Sequence, residues 1–112
     1  MTINHPKILG INLFEIIETL YGNKENSMYL KELCPILRRE YKDVKFDVMY
    51  LDSLEYAQSD FIEDTVNQRV VFLTPKSVNI MSRPVPPKDY DEFIQMFANP
   101  EKDFGDSVIS DK

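Results

Sequence analysis

The chain has 112 residues, 43% of them hydrophobic, which is enough for one ordinary domain with a core of its own and no need of disulfides or metals. Its single cysteine, Cys34, excludes an intramolecular disulfide, the start MTINHPKILG lacks the charged-then-apolar order of a signal peptide, and no run nears the roughly 18 apolar residues of a membrane span, so a cytoplasmic location is expected. The net charge of -6 opposes a general affinity for phosphate backbones, but it is segregated: residues 47–64 hold six acids and no base, whereas 65–88 hold four bases and no acid.

A first helix is predicted from Asn12, a good N-cap with Glu15 three residues on, through Leu13, Ile16, Ile17, Leu20 and Tyr21 at helical spacing to Gly22 and Asn23. In the next segment Leu30, Leu33 and Leu37 share a face. An interior proline costs a helix roughly 3 kcal/mol, so a start near Lys31 is expected, with Pro35 in or near the first turn and Met28 to Leu30 as a short extended piece. Cys34 reads as a small buried hydrophobe.

A third helix is predicted from about Val44 to Ala57, capped by Asp43, with Val44, Val48, Leu51 and Leu54 as its core stripe and Phe46, Met49, Tyr50 and Tyr56 around other sides. Phe61 to Val66 and Arg69 to Leu73 then form a β-hairpin across Asn67-Gln68. Thr74 and Pro75 open a short fourth helix, the hydroxyl as cap and proline at the first position. The stretch 83–87, RPVPP, is expected to be an extended connector. Asp89 with Glu92 starts a last helix carrying the aromatic stripe Tyr90, Phe93, Ile94 and Phe97, and Pro100 stops it. The expected domain is therefore 1–99, followed by a disordered acidic tail over 100–112.

Motifs for catalysis are missing. There is no Gly-rich phosphate loop, HExxH, CxxC or nucleophile elbow, and three glycines in total do not suit a backbone cradle. His5, the only histidine, reads as an ordinary surface residue, and Asp60, Glu63 and Asp64 read as the solvated face of the hairpin rather than a metal site. Neither enzymatic activity nor a cofactor or metal is expected.

Helix, helix, hairpin and a following helix start make an α+β winged helix-turn-helix, a three-helix core with a two- or three-stranded wing and an extra C-terminal helix. Leu51-x-x-Leu54, Ala57, Phe61-Ile62 and, after the hairpin, Leu73-Thr74-Pro75-Lys76 resemble the pattern of small PadR- and MarR-type regulators, over residues 12–82. In those families the third helix ends in a glycine and an apolar pair, and the second wing strand runs into Leu-Thr-x-x-Gly. Here Gln58-Ser59-Asp60 stands in place of the first glycine and Ser77 in place of the second. The resemblance implies a double-stranded DNA-binding transcriptional regulator, with the third helix in the major groove and the wing against the minor groove or the backbone. By position the phosphate contacts would be Arg38, Arg39, Lys42, Lys45 and Arg69. The dimer stripe of a homodimer would be Tyr90, Phe93, Ile94 and Phe97.

An alternative of a different class follows from charge. Base readout needs Arg, Lys, Asn or Gln on the exposed face of the third helix, and after Lys45 that helix offers Asp47, Asp52 and Glu55. An acidic interaction module, such as an adaptor, inhibitor or immunity-type protein, would present Asp52 and Glu55 to a basic protein partner, with Tyr50 or Tyr56 as apolar anchors.

Overall fold

A computed structural model describes residues 6–61 and 69–99, with side chains from 10 to 60 and from 69 to 99. The elements run α1 (Pro6–Tyr21), a 3-10 turn (Lys24–Asn26), β1 (Ser27–Tyr29), α2 (Leu30–Leu37), α3 (Tyr41–Ser53), β2 (Ala57–Phe61), β3 (Arg69–Leu73), α4 (Pro75–Met81) and α5 (Tyr90–Ala98). The three strands form one antiparallel sheet in the order β1-β3-β2. This is the winged helix-turn-helix that the sequence predicts.

Each helix contributes an apolar line to one core. Leu13, Ile16, Ile17 and Leu20 of α1, Leu30 and Leu33 of α2, and Val44, Val48 and Leu51 of α3 are all fully buried, closed from below by Val71 of β3 and by Ile80, Phe93 and Met96 of the last two helices. The short extended piece before α2 is a true strand, pairing Met28 with Val71 at the centre of the sheet.

Several boundaries depart from the expected ones. The first helix begins at Pro6 rather than Asn12, and α2 begins at Leu30, which leaves Pro35 in its second turn on the exposed side. Two residues later α2 ends. The third helix starts from Glu40 as N-cap, so Asp43 lies within the first turn, where its charge favours the helix dipole instead of capping it.

Both α2 and α3 end in the same way, and neither uses glycine. After α2, Arg38 takes a left-handed backbone (φ 59°) while the Arg39 amide donates to the Cys34 carbonyl (3.1 Å) and the Arg38 amide to that of Pro35 (3.3 Å). After α3, Glu55 takes φ 69° while the Tyr56 amide donates to the Leu51 carbonyl (3.0 Å) and that of Glu55 to Asp52 (3.0 Å). These are Schellman stops, a motif in which glycine normally takes the left-handed position. The chain consequently leaves α3 at Ser53, four residues before the expected end, and Tyr56 is not helical.

The early stop moves the hairpin as well. Strand β2 starts at Ala57, paired with Leu73, and Phe61 stands opposite Arg69. A two-residue turn at 67–68 would have placed Val66 opposite Arg69, so the observed register differs from the expected one. The expected turn itself lies outside the described residues, as do Ile62, Glu63, Asp64 and the tail over 100–112. The stretch 83–87 bends rather than running straight, and Pro87 is buried. The start of α5 follows the expected capping arrangement, with Asp89 Oδ1 accepting from the Glu92 amide (2.9 Å), while Glu92 Oε1 accepts from the Lys88 amide (3.0 Å).

Candidate nucleic-acid interface

In a winged helix the third helix is the element presented outward, so the face of α3 opposite its buried line decides what this protein can hold. Residues three and four apart on a helix share a face. The line Val44, Asp47, Val48 and Leu51 points inward, and the opposite face carries two rows one turn apart, Tyr41–Lys45–Met49 and Lys42–Phe46–Tyr50. All six side chains are exposed, Phe46 by 70%, Met49 by 42% and Tyr50 by 41%.

Of the acids of α3, Asp43 is exposed at the first turn, and Asp47 and Asp52 are not on that face. Asp47 is 2% exposed and forms an ion pair with Arg39, which the Schellman stop of α2 carries back over the helix. A buried carboxylate without a partner would be strongly unfavourable, so the pair fixes both residues and joins the α2–α3 turn to the helix that follows. Asp52 is half-buried, and its Oδ2 accepts from the Ser59 amide (3.0 Å), which ties the end of α3 to β2. Of the three acids that follow Lys45 in the helix and its exit, only Glu55 is solvent-facing. The acidic docking face is thereby reduced to Glu55 and the neighbouring Asp60.

The five basic residues separate into two groups. Arg38, Lys42 and Lys45 are exposed and lie close in sequence around the start of α3. Arg39 and Arg69 have internal partners. The Arg69 Nη1 donates to Ser59 Oγ (2.8 Å) and approaches Met49 Sδ (3.5 Å), so this side chain crosses the base of the wing toward α3 instead of standing out from the wing. Ser59 and Met49 were not legible as site residues, since neither holds a charge and only the shifted strand register brings them beside Arg69.

Tyr56 is also corrected. Once past the Schellman stop it turns inward, with its ring centroid 4.6 Å from that of Phe97, 5.1 Å from Phe93 and 6.3 Å from Tyr90, each edge-on. Burial pushes the Tyr56 and Tyr90 phenols above their ordinary value, with each other's proximity adding for Tyr90. Tyr56 is thus half-buried against the α5 aromatics, whereas Tyr50 is exposed. The dimer stripe is affected in the same way: Phe93 is fully buried in its own chain, and Tyr90, Ile94 and Phe97 are half-buried against the same core. Lys76 closes this cluster, its Nζ 4.3 Å from the Phe97 ring centroid.

The serine that replaces the second family glycine has a visible role. Ser77 is fully buried and donates to the Tyr56 carbonyl (2.7 Å), while Thr74 Oγ1 reaches the Glu55 carbonyl (2.9 Å). Thr74 therefore does not cap α4 with its hydroxyl as expected. Both hydroxyls instead satisfy carbonyls left open where the chain leaves α3.

Cys34 is half-buried, its Sγ–H donates to the Leu30 carbonyl (3.4 Å), and burial pushes the thiol up. Among the described residues no group of three or more His, Cys, Asp or Glu is arranged to hold a metal ion, and no helix is long and apolar enough to cross a membrane.

Among solved structures the chain is similar to the crystal structure of AbsC, a MarR family transcriptional regulator from Streptomyces coelicolor, with a TM-score of 0.57 and 10% sequence identity. The match covers 87% of this chain and 64% of that one, so the present chain spans somewhat less than two thirds of its neighbour's length. At this identity the likeness shows the fold. No family model matches the sequence, and no curated protein is significantly similar to it.

Proposed function

We propose that the protein is a winged-helix DNA-binding protein acting as a transcriptional regulator, with α3 as its nucleic-acid face. The observation that carries this reading is the inward turn of two of the three α3 acids: Asp47 pairs with Arg39 and Asp52 with the Ser59 amide, so that from Lys45 onward the outward face carries no carboxylate, while Arg38, Lys42 and Lys45 outnumber the exposed Glu40 and Asp43 at its start. The unsatisfied amides at the start of α3 add a partial positive charge at the same end. The fold shared with a regulator supports the regulatory role, and a homodimer is the corresponding assembly, because paired half-sites are read by paired helices.

Fluorescence anisotropy against a labelled duplex tests it. Wild-type protein should bind at about 50 mM salt and release as salt rises to about 200 mM, and Lys45→Glu should weaken binding and lower the slope of log affinity against log salt by about one or more. Equal affinity in wild type and Lys45→Glu would remove α3 as the binding face. Sedimentation equilibrium on the same sample would report a dimer. A monomer at working concentrations would limit the reading to single-site binding.

A further inference from the structure

Lysines alone do not account for the outward face of α3. Beyond Lys42 and Lys45 it carries none of the side chains that read base edges in a duplex, no Arg, Asn or Gln, and it carries aromatic rings that a duplex groove cannot engage by their faces. Phe46 is the most exposed large hydrophobic residue of the described chain at 70%, and Met49 and Tyr50 lie beside it. Each row joins a cation to apolar surface: Lys45 lies between Tyr41 and Met49 in one, and Lys42 precedes Phe46 and Tyr50 in the other. The nearest exposed carboxylates, Glu40 and Asp43, lie at the first turn, among Arg38, Lys42 and Lys45. Interleaved rings and cations form the chemistry of a surface for unpaired nucleotides, where the ring takes the base and the cation the phosphate.

We infer that the outward face of α3 also holds unpaired bases of single-stranded DNA by stacking on Phe46 and Tyr50, while Lys42 and Lys45 hold the phosphates, so that opened strands are ligands of this face beside the duplex. The inference rests on α3 being the nucleic-acid face proposed above. Spacing agrees with it. Phe46 and Tyr50 are one turn apart, about 6 Å along the helix axis. Stacked nucleotides repeat about every 3.4 Å, so a base held between two rings needs about twice that distance. Stacking is tolerant of sequence because every base has a π-face, which suits a face without base-edge readers beyond its two lysines.

The test compares a fluorescein-labelled single strand of about 16 nucleotides, the length of a single-strand site, with the duplex of the same sequence. The full chain should bind the single strand more tightly. Phe46→Ala and Tyr50→Ala should each weaken single-strand binding about tenfold and leave duplex binding within about twofold, and Phe46→Tyr should restore it. Because the chain has no tryptophan, Tyr50→Trp supplies a lone fluorophore that a stacked base should quench. Single-strand affinity unchanged in both alanine variants, or an unquenched Trp in a folded sample, would overturn the inference. So would self-association, abolished by Phe46→Ala in the absence of nucleic acid, which would assign the patch to a second copy of the chain. If Lys45→Glu alters neither probe, the nucleic-acid reading fails as a whole. If it weakens both while the alanine variants weaken neither, only stacking fails.

Discussion

Two groups of aromatic residues in this protein are chemically alike and differently placed. Tyr90, Phe93 and Phe97 each meet Tyr56 edge-on against the core, while Phe46 and Tyr50 stand exposed on the outer face of α3, with Met49 beside them reaching Ser59 and Arg69. Area burial stabilises the first group directly, and nothing equivalent in the fold accounts for the second. A ring left in water on a helix whose opposite face is fully packed contributes nothing to folding. On the reading proposed above, it is the surface that the helix offers a ligand.

The sharpest way to break that contrast is to truncate one ring from the buried group. Phe93→Ala should cost about 3–5 kcal/mol, because Phe93 is fully enclosed and Tyr56 and Phe97 lose their partner together. Urea unfolding checks it. A loss of less than about 1 kcal/mol would mean that α5 is not part of the cooperative core. Next in size is Asp47→Ala, expected to cost about 3 kcal/mol, since it leaves the Arg39 guanidinium buried without its carboxylate. Replacing both partners together, Arg39→Met with Asp47→Leu, should recover most of that loss. If the double variant is as unstable as the single one, the pair does more than satisfy itself.

Periodicity made the architecture legible, because the apolar residues of α1, α2 and α3 repeat at helical spacing and those of β3 alternate. The exits of α2 and α3 were hidden. Sequence marks a Schellman stop by glycine, and here Arg38 and Glu55 take the left-handed position, two residue types that give no such signal. From the one unseen stop at Glu55 the rest follows: Tyr56 passes from an outer helical position to the inner cluster, and the hairpin register shifts until Phe61 faces Arg69. Side-chain pairing was equally silent. The same carboxyl composition serves an acidic face or an internal ion pair, and only the turn that brings Arg39 over Asp47 decides between them. Lys42 and Lys45, expected to be exposed, are so, and among the described residues no ion pair involves them.

The hidden stop yields a prediction of opposite sign. Glu55 at φ 69° carries a strain of about 1 kcal/mol that glycine would not have, and its side chain is exposed, with no hydrogen bond that a glycine would forfeit among the described residues. Glu55→Gly should therefore stabilise the fold by up to about 1 kcal/mol and raise the melting temperature by a few degrees. A destabilised variant would show that the Glu55 side chain, and not the backbone alone, holds the exit from α3.

The smallest expected effect lies on the outer group and is as informative as the largest. Phe46→Ala should change stability by no more than about 0.5 kcal/mol, as surface substitutions away from packed or paired groups do. The removed ring also relieves water of apolar surface in the folded state about as much as in the unfolded one, so the transfer terms nearly cancel. A near-zero result read beside a loss of several kcal/mol for Phe93→Ala would establish that two phenylalanines of one small domain differ in purpose, one folding the chain and the other left over for a ligand. A loss above about 2 kcal/mol would instead place Phe46 under cover in solution, by a neighbouring copy or another part of the chain. The outer face of α3 would then no longer be open to nucleic acid.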